Sequence, residues 1–461
     1  MIIWQKAKIG AVLLLVSVAL AQQPSAPSAL TMTQAVESAL HNYPSIQVSQ
    51  EQINAAAAGI RLARTAYLPR LDLLGQANRA TRNNVFGLLL PQSVIPSISG
   101  PVLGTNNTGT AWGSALGGLV SWEPFDFGLR QANVAVASAA RSQAEAALKR
   151  TQFDVAVATL DAYLTLTAAQ ETVHAAQAGV DRADTIARTI KALVNSELRP
   201  GADASRADAE LAAARTQLIQ AEQAVEVARA TLAQFVGGES KITIAAPGLL
   251  QLPPQSTVAP LDPAANPIFL EQNAVVEQAQ AQLRALERTY FPRFYLQGSL
   301  YARGTGAEVD GRILGGLNGL APTVQNFAVG FSVTFPVFDI AAIRARESAQ
   351  SATIRAQTAR SRQIATDLRA QWNRAVATLE GARRVAANTP IQVTAAGAAV
   401  KQATARYQAG LANIDEVAEA QRLLTQSEID DALARLGVWR GLLSVAAAAG
   451  DIQPFVAEAS K

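Results

Sequence analysis

The chain has no cysteine, which excludes disulfides, a thiol nucleophile and a cysteine-borne lipid anchor. Histidine is nearly as scarce. Neither His41 nor His174 stands at metal-ligand spacing to a second histidine or to a cysteine. A Gly-Lys-Ser/Thr phosphate loop and a Gly-x-Ser-x-Gly elbow are both missing. The carboxylates are scattered along what read as solvated helix faces, so no catalytic residue, cofactor or metal is implied and an enzyme is not expected. Aromatics make up 5% and charged residues 16% of 461 residues, while alanine is abundant. That composition suits helices packed along small side chains better than a large aliphatic core. Long apolar runs are scarce too. One covers residues 9–20, behind Lys6 and Lys8 and closing on Ala19-Leu20-Ala21; it is too short to span a bilayer as a helix and reads as a cleavable secretory signal over residues 1–21. No other apolar run approaches about 20 residues, so no transmembrane helix is expected in the mature chain. The formal charge of +3 falls to about +1 when Lys6 and Lys8 leave with the signal, which gives no basic face for nucleic acid.

What the chain does contain is one plan written twice. Pro44 and Pro69 are 25 residues apart, as are Pro267 and Pro292, at a common offset of 223. Around them Tyr67-Leu68-Pro69-Arg70-Leu71 answers to Tyr290-Phe291-Pro292-Arg293-Phe294. Each copy joins heptad-patterned helices to short amphipathic strands. From Ala162 the apolar positions step by four and three through Leu166, Ala169, Val173, Ala176, Val180, Ala183, Ala187, Ile190 and Val194, a coiled-coil seam. Residues 129–196 hold no proline, which predicts one helix about 100 Å long, stopped by Arg199-Pro200-Gly201. A second seam runs from Leu211 to Phe235. The second half repeats the plan from Ala365 to Tyr407, with Pro390 inside it; the heptad resumes in phase, which predicts a bend in one helix rather than two helices. Helices at 45–67 and 202–236, placed end to end, nearly match the long helix and can lie beside it, with 237–266 bulging out where they meet.

The strands alternate. Phe327, Val329, Phe331, Val333 and Phe335 are interleaved with small or polar residues over the length of a transmembrane β-strand. Phe294, Leu296 and Leu300 follow the same rule. Trp112 and Trp122, ten residues apart, fall on one face at the spacing of two membrane interfaces, at a tilt near ~40°. A soluble half-buried hairpin also explains the alternation. Four strands cannot close a barrel, so membrane strands would require oligomerisation.

The predicted organisation is a signal at 1–21 and a first repeat at 22–236, with strands 70–80 and 111–123 and helices 129–196 and 202–236. A linker at 237–266 follows. The second repeat covers 267–448, with helix 268–290, strands 293–303 and 325–336, and helices 342–408 and 414–448, leaving a tail at 449–461.

Several short stretches carry a resemblance. Leu30-Thr31-Met32-Thr33-Gln34-Ala35-Val36 with Asn42-Tyr43-Pro44, the junctions Glu123-Pro124-Phe125-Asp126-Phe127-Gly128-Leu129-Arg130 and Phe335-Pro336-Val337-Phe338-Asp339, and the turn Arg406-Tyr407-Gln408-Ala409-Gly410 resemble the TolC-like outer-membrane efflux protein family, over nearly all of the mature chain. The resemblance implies a mainly α fold with β: long coiled-coil-like helices plus four transmembrane β-strands per chain, closing as a homotrimer into a 12-stranded β-barrel continued by a periplasmic α-helical barrel. It implies a passive exit duct in the outer membrane, contacting outer-membrane lipid, a periplasmic adaptor and an inner-membrane transporter. A type I protein secretion channel remains an alternative within the fold. A periplasmic adaptor with a long helical hairpin is the alternative from another class. Carried over from the tip motif, Glu416 and Glu419, three apart on one helix face, would ring the constriction. Tyr407 and Gly410 would form the gate turn, with Asp203 or Asp208 as the partner of Tyr407. Counted from Gly201 and Gly410, the first tip turn is expected to be two residues shorter than the second.

Overall fold

The computed structural model describes residues 29–81, 109–237, 242–245, 248–253, 260–308, 310 and 312–459. The expected signal at 1–21, and most of the turn-rich segment between the first two strands, lie outside the described residues.

Helix α1, Met32–Asn42, opens on a capping box: the Gln34 backbone N–H donates to the Thr31 hydroxyl (3.3 Å) and the Thr31 N–H to Oε1 of Gln34 (3.0 Å). Pro44, whose missing N–H costs nothing in a first turn, starts α2, Pro44–Thr65. Strands β1, Arg70–Thr81, and β2, Thr110–Phe125, follow. Then come α3, Leu129–Asn195, of 67 residues, and α4, Gly201–Val236. The second half places α5, Pro267–Glu287, strands β3, Arg293–Thr305, and β4, Val324–Thr334, and helices α6, Ile340–Gln408, of 69 residues, and α7, Ile414–Ala449. A short α8, Gln453–Ala459, ends the described chain. Strand β4 stops before Pro336, which cannot donate to a ladder, rather than including it.

Each long helix is flanked by two shorter ones. Helices α2 and α4 pack on α3, and α5 and α7 pack on α6; α5 and α7 also touch α3 and so join the halves. The buried side of α3 carries the predicted seam, with Ala162, Leu166, Ala176, Val180, Ala183, Ala187 and Ile190. On α6 the buried residues include Leu368, Ala375, Leu379, Ala386, Thr389, Ala396 and Tyr407, and the helix runs unbroken through Pro390. Small residues set the spacing. A Cβ on Gly441 of α7 would stand 3.0 Å from Cα of Leu379, so only glycine lets α7 approach α6 this closely.

Helix α7 is the one described helix long and apolar enough to cross a membrane by length and composition, against the expectation of none. Its apolar residues are spent on packing: Val438 and Val445 on the α6 seam, Leu436, Trp439 and Leu443 in the main core.

Midway along the helices sits a core the heptads do not announce. Leu30 pairs with Ile244 in a parallel bridge, and the Tyr163 hydroxyl lies 2.9 and 2.7 Å from the carbonyl oxygens of Leu30 and Ala245. The Trp439 indole donates to Gln251 O (3.0 Å) and packs edge-on against Phe455 of α8. The described parts of the 237–266 segment are thus docked, not merely looped out.

The four strands form one antiparallel sheet in the order β1-β2-β3-β4, which leaves β1 and β4 as open edges. Asp126 welds it to the helices. Its carboxylate accepts from the Gly128 and Arg130 N–H groups and from Arg130 Nε (2.9 Å), while Phe127 (φ 51°) and Gly128 (φ 88°) turn the chain left-handed into α3. Arg130 in turn donates to Ala66 O and lies over the Tyr67 ring, so one buried ion pair holds the end of α2 and the start of α3 together.

Candidate gate at the helical tip and candidate membrane face

The two helical hairpins turn in the same way at their far ends. After α3, Glu197 is left-handed (φ 59°), and the N–H groups of Glu197 and Leu198 bond back to Val194 O and Leu193 O. After α6, Gly410 (φ 75°) and Leu411 repeat this with Tyr407 O and Arg406 O. Both are Schellman turns, and both have five residues between helices. The expected difference of two residues is therefore corrected: Gly410 answers to Glu197, not to Gly201. The first tip places glutamate where glycine is the usual marker, so the sequence offered no sign of it.

Tyr407 is the centre of the tip. Its ring is 4% exposed and packs with Ala183, Ala187, Ile190, Ala207 and Val417. Its hydroxyl donates to Oδ2 of Asp203 in the first turn of α4 (2.8 Å). Arg199, from the first tip turn, covers the ring at 4.3 Å and donates to Tyr407 O. Burial first, then the hydrogen bond to the Asp203 carboxylate and its charge, push the Tyr407 phenol up to about 12, with Arg199 opposing. Asp208 is not part of this contact; it pairs with Lys191 at 2.7 Å. Arg206 reaches across from α4 to Asp415 of α7 (3.3 Å). Sequence reasoning missed Arg199 and Arg206, although an arginine directly before Pro200 was a visible signal.

Glu416 and Glu419 lie exposed on the first turns of α7. Glu416 is 3.8 Å from Arg406 and Glu419 is 2.8 Å from Arg422, so each carboxylate has a partial counter-charge within the chain. The Glu416 N–H donates to Asn413 O, as an ordinary helix start requires.

At the other end of the molecule, register decides which strand residues share a face. Leu73 pairs with Gly118, Leu116 with Ala302, Leu296 with Phe331, Leu300 with Phe327 and Gly298 with Val329. This face carries Leu71, Leu73, Leu116, Val120, Leu300, Phe327, Val329 and Phe331, all exposed, with Leu73 at 82% and Phe327 at 80%. The opposite face carries Asp72, Gln76, Asn78, Ser121, Gln297, Ser299, Arg303, Asn326 and Ser332. A soluble sheet hides its apolar side; this one displays it and shelters the polar one. Trp112 and Trp122 both stand on the apolar face. The Trp122 indole donates to Tyr67 O (3.1 Å) beside the helices, and Arg79 lies over Trp112 at 5.7 Å near the far end.

The sequence matches the family model described as outer membrane efflux protein over residues 35–238 and 264–451. The fold is similar to solved structures of CusC (14% identity, TM-score 0.74, covering 91% of this chain and 92% of that one), of VceC from Vibrio cholerae (18%, 0.68, 91% and 96%) and of the open-state MtrE outer membrane channel from Neisseria gonorrhoeae (18%, 0.70, 91% and 89%). No curated protein sequence matches the chain.

Proposed function

The chain belongs to the outer membrane efflux protein family, which puts it in the outer membrane and reaching into the periplasm, and from that premise we propose that it works as a homotrimeric exit duct. The observation that carries this is the sheet: an exposed apolar face with two open edges. Unpaired backbone groups are intolerable in lipid, and three copies of a four-stranded sheet joined edge to edge remove every edge in a 12-stranded barrel. The paired long helices would continue that wall into the periplasm as an α-helical barrel. Small molecules would be delivered to the lower end by an inner-membrane transporter held through a periplasmic adaptor. The duct performs no chemistry of its own.

Tyr407, Gly410 and Asp203 support a gate at the tip. The phenol-to-carboxylate bond ties α6 to α4, so the tip opens only when that bond, the Arg199 cover and the Arg206 to Asp415 bridge give way together. Glu416 and Glu419, repeated three times around an axis, would form a carboxylate ring that attracts cations. Trp112 and Trp122 would mark the two membrane interfaces.

Planar-bilayer conductance tests the duct and the ring at once. Wild-type protein is expected to form cation-selective pores blocked by trivalent cations, and Glu416→Gln with Glu419→Gln to weaken both properties. Unchanged selectivity and block would make these residues helix-start acids held by Arg406 and Arg422 and no filter. Absence of any conductance under conditions where the protein inserts would oppose the duct itself.

A further inference from the structure

Where the apolar sheet face meets the helices, the chain carries a set of arginines that the duct does not use. Arg61 and Arg64 lie near the end of α2, Arg284 near the end of α5, Arg288 just beyond it, and Arg344 in the first turns of α6. All five are exposed. None makes an ion pair among the described residues, whereas Arg130, at the same level, is buried and bound to Asp126. Arg61 and Arg284 stand at the repeat offset of 223, whereas Arg64 answers to Glu287 and Arg288 to Thr65.

Contacts show which way Arg288 faces. The Arg288 guanidinium lies over the Phe291 ring at 5.9 Å; Phe291 stacks on Phe127, Phe127 touches Phe294, and Phe294 touches Phe331 on the exposed apolar face. Arg284 lies four residues before Arg288, and Arg61 three before Arg64, so each pair shares a side of its helix. Tyr67, Phe291, Phe335 and Phe338, the last 97% exposed, are exposed aromatics in the connections between helices and strands. From Arg284 to Tyr290 the rise is about 9 Å, of which a fully extended arginine covers roughly three quarters when its head reaches toward headgroups. Of the acids at this level, Glu347 accepts the Tyr290 hydroxyl (2.7 Å) and keeps its charge, so Glu347, Glu287 and Asp339 set three negative charges against five positive ones.

We propose that Arg61, Arg64, Arg284, Arg288 and Arg344 form a basic belt that binds the phosphate headgroups of anionic phospholipids in the periplasmic leaflet. The inference rests on the reading of the sheet as lipid-facing. Guanidinium forks match phosphate oxygens bidentately, and apolar sheet above arginine below is the order in which acyl chain and headgroup are met. With no cysteine to carry an acyl anchor, the belt supplies a second, electrostatic hold on the membrane besides burial.

The test is to place the purified protein in nanodiscs of equal phosphatidylglycerol and phosphatidylcholine with identical acyl chains, and to count retained lipids by native mass spectrometry. Wild type should retain phosphatidylglycerol in roughly fivefold excess. R61Q/R64Q/R284Q/R288Q/R344Q should show no excess. R355Q/R362Q/R369Q, exposed arginines farther down α6, should keep it; if the glutamine set fails to assemble, wild type at raised salt decides the matter, since a headgroup-phosphate excess should collapse and an excess from packing should persist. No excess in wild type, or undiminished excess in the glutamine set, overturns the belt alone. Failure of wild type to enter either lipid overturns the lipid-facing sheet and the belt with it.

Discussion

Tyr407 is gripped by a carboxylate at its hydroxyl, a guanidinium over its ring and an alanine-rich seam around it. The hydroxyl contact is the separable part. Tyr407→Phe keeps the ring and removes the bond to Asp203, a hydrogen bond to a charged group worth about 1.5–3 kcal/mol, so single-channel recordings should show a larger open fraction. The pH dependence has a definite sign. The phenol is raised in the folded state from 10.0 to about 12, so the stabilisation is fully present below pH 10 and is lost as pH rises from 10 towards 12. Wild-type conductance should therefore climb in that window, and Tyr407→Phe should not share the climb; parallel curves for both proteins would remove the phenol from the gate. Tyr407 was legible in the motif before Gly410, but its partner was not. Asp203 and Asp208 are equally acidic in sequence, and the choice depends on helix phase after a turn whose left-handed residue is a glutamate.

Helix α6 shows how an element carries a proline without ending. Pro390 deletes one backbone donor beneath a buried seam, and the residue before it, Thr389, sends its hydroxyl across to Asp431 of α7 (2.7 Å) instead of back to its own helix. Asp431 is also bound by Arg435, so a buried carboxylate, a hydroxyl and a guanidinium pin α6 to α7 beside the defect. Pro390→Ala should preserve assembly, since the seam is untouched, whereas Thr389→Val should lower the temperature at which the oligomer dissociates on heated gels. Equal effects of the two changes would deny the pin its role. Gly441→Ala tests the packing directly: its methyl would meet Leu379 backbone at 3.0 Å, and overpacking of this kind costs about 1–3 kcal/mol, read as a lower thermal midpoint. The long helices were legible because a heptad seam is periodic, and the alternation in β3 and β4 likewise because one face is largely apolar. Helix α1 and the midway core were not. They are assembled from Leu30, Tyr163, Ile244, Trp439 and Phe455, residues far apart in sequence with no period to connect them.

At the scale of the whole molecule, a single chain is unfinished. Its sheet ends in two unpaired edges, several leucines and phenylalanines of that sheet are largely exposed, and its helices form the two hairpins of a wall with no closure. Family membership supplies the compartment in which such a surface is stable, and symmetry supplies the closure. The most direct test is the native mass of protein extracted in mild detergent from an outer-membrane fraction, read before and after heating. The expected result is one species of three chains that dissociates to single chains on heating. A stable single chain recovered from the soluble periplasmic fraction would contradict both the barrel and the duct.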